Sequence, residues 1–364
     1  MVAVAVVGAT GLVGRTFLGV LAERSFPVGR LALFASPRSA GRLVRFRDRP
    51  CRVEALDHAD PAGFDLALFS AGAEAARRHA PRFAAAGALV VDNSSAFRLE
   101  PGVPLVVPEV NRAALEAGAP PGGGRIVANP NCSTIQLVMA LKPLHDAAGL
   151  VRVTVATYQS AAGAGQRGLA ELESETRRAL AGGAPEASVF AHPLAFEALP
   201  HVGTFGAGGM TSEEEKIIAE TRKILDLPAL RVSATCVRVP VRVGHSEAVW
   251  VETARPLGPE AARAALAAAP GIVVVDDPAA ARYPLATRAA GTDPVYVGRI
   301  RRDPASENGL ILWVVADNVR KGAALNAVEI AECLLCQPAA DLASQSAPCS
   351  AGPPPGSGKR ADGR

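Results

Sequence analysis

No run of about 18 consecutive apolar residues occurs in the 364-residue sequence, so none of it reads as a membrane-spanning helix. The start lacks a secretory leader's order of basic, apolar and small residues, because Met1 leads straight into the strand-like Val2 to Val7. A soluble cytoplasmic protein, with no membrane partner, is therefore expected. Aromatics are scarce and no basic cluster is interleaved with them. With 38 basic residues against 35 acidic ones, a net charge of +3, nucleic acid is excluded as a partner. Lysine is rare beside arginine and alanine, a compositional bias that carries no mechanism. No internal repeat is found.

Cysteine is present at 51, 132, 236, 333, 336 and 349. A large core and no leader argue against a disulfide framework, which leaves free thiols. Cys333 and Cys336 have CxxC spacing, but no second Cys or His pair stands at metal-ligand spacing. Helix packing is their expected role, and no metal is expected.

The remaining composition, 49% hydrophobic over 364 residues, supports two domains, each with its own core. Val2 to Val7 is a continuous apolar run followed by Gly8-Ala9-Thr10-Gly11-Leu12-Val13-Gly14 and a helical pattern to about Glu23. Leu31 to Ala35, Arg52 to Ala55, Leu66 to Ser70 and Leu89 to Val91 read as further buried strands, with a helix over Glu74 to Ala86. Strands alternating with helices predict a parallel, doubly wound α/β sheet. After Pro130 the runs lengthen, at Val151 to Gln159, Ala234 to Val243, Glu247 to Thr253 and Leu310 to Ala316, which predicts a mixed sheet in a second domain. A last helix over about Ala323 to Leu335 follows, positioned to pack back on the first domain. Beyond Gln337 a tail rich in Ser, Pro, Gly and Ala is expected to be disordered.

Glycines at GxxGxxG spacing after a first strand give a tight turn and a helix N-terminus aimed at an anion, which suits a dinucleotide pyrophosphate. After the second strand, where an NAD site offers an acid to the ribose, stands Ser36-Pro37-Arg38-Ser39. A guanidinium and hydroxyls there receive a 2′-phosphate, so NADP is the expected cofactor. Asn129-Pro130-Asn131-Cys132-Ser133-Thr134 puts one cysteine before a helical run, Ile135 to Leu141. The helix N-terminus favours thiolate, so Cys132 is a candidate nucleophile; the alternative is a small buried apolar residue. Arg98 closes the strand loop Asp92 to Arg98, where it could grip an anion. Ser212 to Lys216 opens a helix, with Ser212 as cap and Glu215 completing a capping box, while Glu213 and Lys216 share a face. Arg238 can hold a carboxylate through two hydrogen bonds, and His245 has an ordinary pKa suited to proton transfer near neutrality.

In order along the chain, GATGLVG, SPRSAG, DNSSAFR, VVPEVN, NPNCST, TYQSAAGAG, SEEEK, RVPVRVGHSE and DNVRKGAALNAVE resemble aspartate-β-semialdehyde dehydrogenase of the bacterial type, from Met1 to about Leu335. The resemblance implies an N-terminal Rossmann-like dinucleotide-binding domain (1–130) and an α+β catalytic and dimerisation domain with a mixed sheet (131–321). It also implies a helix at 322–336 packing back, before the tail (337–364). The implied reaction is NADPH-dependent reductive dephosphorylation of L-aspartyl 4-phosphate to L-aspartate 4-semialdehyde and phosphate, in lysine, threonine, methionine and diaminopimelate biosynthesis. Cys132 would form a thioester, with Gln159 beside it and His245 transferring protons. Arg238 and Glu213 would bind the amino-acid head, and Arg98 and Lys216 the phosphate. Gly8, Thr10, Gly11, Leu12, Val13, Ser36, Arg38, Ser39, Ala162, Gly163 and Asn318 would hold NADP in a homodimer. N-acetyl-γ-glutamyl-phosphate reductase and a noncatalytic NADP-binding homologue are the alternatives. Glu197 and the glycine-rich Gly203 to Met210 depart from the family pattern.

Overall fold

A computed structural model describes residues 1–116 and 125–336. The expected tail and Cys349 lie outside the described residues. Seven strands, β1 (Val2–Val7), β2 (Val28–Ala35), β3 (Leu43–Phe46), β4 (Arg49–Ala55), β5 (Leu66–Phe69), β6 (Leu89–Asp92) and β7 (Ile126–Ala128), form a first sheet ordered β3-β4-β2-β1-β5-β6-β7. All its pairings are parallel except β3 with β4. Side chains alternate between the faces of β1. Val4 and Val6 pack with Phe17 and Leu21 of the helix Leu12–Glu23, while Ala5 and Val7 pack with Ala80 and Phe83 of the helix Ala73–Ala85. Burial on both faces explains why these strands read as unbroken apolar runs. From β1 the chain adds strands first on one side and then, through β5, on the other. The crevice for a ligand therefore lies outside the C-terminal ends of β1 and β5, at Gly8 and Ser70.

The second sheet contains β8 (Leu150–Gln159), β9 (Arg231–Arg238), β10 (His245–Thr253), β11 (Ile272–Val274), β12 (Val295–Arg302) and β13 (Gly309–Ala316), ordered β11-β12-β13-β10-β8-β9. It is mixed, as expected: β8 runs parallel to β9 but antiparallel to β10. The helix Cys132–Ala148 packs Leu137, Leu141 and Leu144 with Val249, Leu312 and Val314 in a second core. The last helix, Leu325–Leu335, contributes Leu325, Val328 and Ile330 to the core of the first sheet, where they join Phe17 and Leu21.

The sequence reading misses β3, β7, β11 and β12, two of them only three residues long. The strand expected over Ala234 to Val243 ends at Arg238. Pro240 has no N–H to extend the ladder, and Gly244 takes a left-handed φ of 95°, so the chain turns through 239–244 before β10. The capping box is also displaced by one residue. Thr211, not Ser212, accepts from the Glu214 N–H, and Glu214 accepts in return from the Thr211 N–H at 2.8 Å. Both registers satisfy the pattern in sequence. Contacts from elsewhere decide between them, since Glu214 also accepts the Cys236 N–H and Ser212 Oγ accepts the Thr204 N–H. Cys333 is half-buried in the last helix and Cys336 is exposed at its end. No helix among the described residues is long and apolar enough to cross a membrane.

Candidate active site

Three side chains reach one edge of the second sheet because of its register. Gln159 ends β8 opposite Arg238, which ends β9, and His245 begins the antiparallel β10 beside them. Cys132 opens its helix over the same edge. Its N-cap is Asn131, whose Oδ1 accepts the N–H groups of Ser133 (2.9 Å) and Thr134 (3.3 Å). A turn of π-helix, Arg320–Ala324, closes the other side. A Cβ on Gly322 would come within 3.1 Å of the Cys132 Cβ, so a larger residue there would press on the thiol's own carbon.

Glu213 ties the site together. Its Oε1 accepts from Asn131 Nδ2 (2.9 Å) and Gln159 Nε2 (3.1 Å), and its Oε2 from Lys216 Nζ (3.2 Å). Burial alone would raise its pKa, but Lys216 and the two amides together outweigh burial and hold it below the usual range. Gln159 is fixed from behind by the Thr157 hydroxyl, and its Nε2 lies 3.5 Å from His245 Nε2. Arg238 is buried, donates to the Ser160 carbonyl at 2.7 Å and stands over the Phe190 ring, while its Nε has no partner. Burial lowers its pKa.

Two expectations about chemistry are reversed. The helix N-terminus does not make Cys132 a ready thiolate in the ligand-free chain. Burial, then the Glu213 charge, push its thiol up to about 12 against the opposing fields of Arg98 and Arg238. His245 does not titrate near neutrality either. It is fully buried beside Arg238, and burial followed by that charge lowers its pKa to about 3. Its Nδ1 accepts the Ser160 N–H at 3.0 Å, so the neutral ring carries its proton on Nε2, on the side of Gln159. Asn318 supports this arrangement by accepting from Ser160 Oγ (3.0 Å) and from the Gly244 N–H (2.9 Å).

Arg98 is buried. Nε donates to the Asn129 carbonyl (3.0 Å), Nη2 to that of Asn93 (2.9 Å) and Nη1 to Glu220 Oε1 (3.0 Å). The sequence reading missed Glu220 and Ser160. For Glu220 a signal existed, since it lies seven residues after Glu213 and hence on the same helical face.

Of the residues expected to bind the cofactor, Gly8 to Val13, Ser36, Arg38 and Ser39 lie at the crevice of the first sheet and Ala162 packs against it, while Gly163 and Asn318 stand beside Arg238, His245 and Ser160. Gly8 has φ 86°, and a Cβ there would meet the Ser70 carbonyl at 2.2 Å. Gly11 caps the helix Leu12–Glu23 with no side chain bonded to its first N–H groups and no acid in its first turn. That combination leaves free donors and a positive dipole end for a pyrophosphate. Ser36 to Ser39 turns out of β2 within reach of Thr10, whose hydroxyl lies 3.4 Å from that of Ser39, and Arg38 is exposed there. Leu12 and Val13 pack with Ala161, Ala162 and Val319, joining the glycine turn to the second domain. Gly163 sits where a Cβ would strike Arg238 at 2.6 Å and approach the His245 ring at 3.4 Å. Glu197 is exposed and follows Phe196, whose φ is 65°, and Gly203 to Met210 form an outer loop. The Gly203 turn packs on the start of the helix that carries Glu213, where a Cβ on Gly203 would meet Ser212 Oγ at 2.4 Å and the Glu213 nitrogen at 3.3 Å.

Two family models match, the NAD binding domain of semialdehyde dehydrogenase over residues 3–118 and its dimerisation domain over 141–321. The aspartate-semialdehyde dehydrogenase of Aquifex aeolicus is 52% identical over 334 residues, 91% of this chain and 97% of the relative. The solved aspartate semialdehyde dehydrogenase II of Vibrio cholerae, complexed with ASA, superposes with a TM-score of 0.88 at 46% identity, covering 92% of this chain and 98% of that one. The Candida albicans enzyme solved with NADP gives a TM-score of 0.70 at 28% identity, over 92% and 98%.

Proposed function

The chain belongs to the aspartate-semialdehyde dehydrogenase family, and from that membership we propose that it reduces L-aspartyl 4-phosphate with NADPH to L-aspartate 4-semialdehyde and phosphate, through a thioester on Cys132. The step serves the biosynthesis of lysine, threonine, methionine and diaminopimelate. The observation that carries this reading is the meeting of Cys132, at its helix N-terminus, with Gln159, Arg238 and His245 on one sheet edge.

In this mechanism the Cys132 sulfur attacks the acyl carbon and the bond to the phosphate oxygen breaks. The thiol proton balances onto the departing hydrogen phosphate, which spares the site a free thiolate that burial disfavours. Arg98 and Lys216 hold the phosphate. Arg238, with its unpartnered Nε, takes the α-carboxylate, and Glu213 lies by the ammonium group. His245, neutral with its proton on Nε2, donates a hydrogen bond to the acyl oxygen as negative charge develops there. Gly8 to Val13 would hold NADPH, which when bound would supply a hydride to the acyl carbon. Collapse of the tetrahedral alkoxide then re-forms the carbonyl and expels the Cys132 sulfur, which takes up one proton from solvent to restore the thiol. The glycine cradle and the uncapped helix start fit the pyrophosphate, and Thr10, Ser36, Arg38 and Ser39 fit a 2′-phosphate. Gly163 and Asn318 connect that site to His245.

The division of labour is cofactor binding by 1–130 and catalysis with dimerisation by 131–321, the helix at 322–336 bracing the first domain. The enzyme works as a homodimer in the cytoplasm. The outer face of the second sheet, with half-buried Trp250, Trp313 and exposed Tyr158, is the surface it offers a second copy. An N-acetylated substrate has no ammonium for Glu213 to meet, which favours the aspartyl substrate.

The test is phosphate-dependent reduction of NADP by aspartate semialdehyde, run beside N-acetylglutamate semialdehyde. Turnover with the first alone is expected. Turnover with the second alone, or with neither, contradicts the assignment.

A further inference from the structure

Glu220 is almost fully buried, takes no direct part in the mechanism above and is placed with both its oxygens occupied. Oε1 accepts Arg98 Nη1 at 3.0 Å and Oε2 accepts the backbone N–H of Asn131 at 2.7 Å. Arg98 carries five N–H donors, of which the Asn93 carbonyl, the Asn129 carbonyl and Glu220 take one from each nitrogen. One N–H is left on each terminal nitrogen, available to an anion. The second partner, Asn131, caps the Cys132 helix through Oδ1 and bonds Glu213 through Nδ2. A single carboxylate therefore fixes the plane of one cation and the backbone immediately ahead of the nucleophile.

We propose that Glu220 is a positioning residue that locks the Arg98 anion grip to the residue preceding Cys132, so that the phosphate group is delivered in register with the attacking sulfur. This rests on the reading of Arg98 as a phosphate ligand. Charge and position predict opposite signs here. If only charge mattered, removing the Glu220 carboxylate would free the field of Arg98 and tighten phosphate binding. If position matters, an amide must turn its NH2 toward one of two donors, the Arg98 grip loosens, and phosphate binds more weakly.

The experiment is Glu220→Gln, assayed in the phosphate-dependent direction. The KM for phosphate rises at least about tenfold, the loss expected of one hydrogen bond to a charged group, while the KM for NADP stays at the wild-type value. In R98A/E220Q the phosphate KM is no worse than in R98A, because Glu220 acts through Arg98. An unchanged or lowered phosphate KM, a parallel rise in the KM for NADP, or additive losses in the double variant would each overturn the proposal. Should Glu220→Gln not fold, Glu220→Asp keeps the buried charge but withdraws it by one methylene, and the same criteria apply. Titration calorimetry with inorganic phosphate separates this from the catalytic reading. A wild type that binds phosphate more tightly than the variant but does not turn over refutes the reaction and keeps the role of Glu220. A wild type that binds no phosphate refutes both.

Discussion

At the scale of the residue, the site is governed by burial more than by the intrinsic character of its side chains. An Asn-capped helix start lowers a cysteine pKa in the open, but at Cys132 burial and the nearby Glu213 carboxylate prevail. Alkylation of Cys132 in the ligand-free enzyme should therefore keep accelerating with pH past the free-cysteine value of about 8.5, with no plateau near neutrality. Glu213→Gln removes the like charge, lowers the thiol pKa and speeds alkylation at a fixed alkaline pH. A plateau at neutral pH in the wild type, measured by stopped alkylation and peptide mass, would refute this account. None of this was legible in the sequence, because burial arises from segments far apart in the chain. Cys132, Arg238 and His245 could be singled out from their local patterns, whereas Gln159 came only from the family resemblance, and the ends of β9 and β10 that place Arg238 and His245 were not read. Glu220 offered only a partial signal, its place on the helical face of Glu213, because its role depends on Arg98, 122 residues away.

At the scale of the element, β10 is built to serve both the core and the site. Its inward residues begin with His245 and continue through Glu247 to Val249 and Val251. Glu247 is fully buried and its carboxyl oxygens have no partner in hydrogen-bonding geometry. Burial pushes its pKa well above the usual range, with partial relief from Gln136 on the Cys132 helix. Burial first, and then nearby carboxylates that include Glu247, raise the pKa of Cys236 on β9. Below the unfolded pKa of about 4.3 the carboxyl is protonated in both states and has no effect on folding. Above it the unfolded chain ionises and gains, while the native chain does not, so stability is lost as pH rises toward the folded pKa. Glu247→Gln does not titrate. Its melting temperature should exceed that of the wild type by an amount that grows from pH 5 to pH 8, and parallel curves would show that Glu247 is not held neutral. The short strands and the capping register were illegible for a related reason. Three residues carry little pattern, and Thr211 and Ser212 offer the same signal until Cys236 and Thr204 choose between them.

At the scale of the whole molecule, the mainly parallel first sheet and the mixed second sheet were both foreseeable, because continuous and longer apolar runs differ along the chain, but the antiparallel edge strand β3 was not. Nor was the docking of the two sheets. Arg98 connects them, donating to Glu220, and Lys223, farther along the same helix, donates to the Arg98 and Val103 carbonyls. The glycine turn joins the second domain through Leu12 and Val13, which pack with Ala161, Ala162 and Val319. The most direct test is rapid quenching of the enzyme with L-aspartyl 4-phosphate before NADPH is added, followed by peptide mass spectrometry. The account predicts one aspartyl group on the peptide bearing Cys132, absent in Cys132→Ala and discharged as the semialdehyde when NADPH is supplied. No adduct, or an adduct on another residue that NADPH discharges equally well, would contradict it.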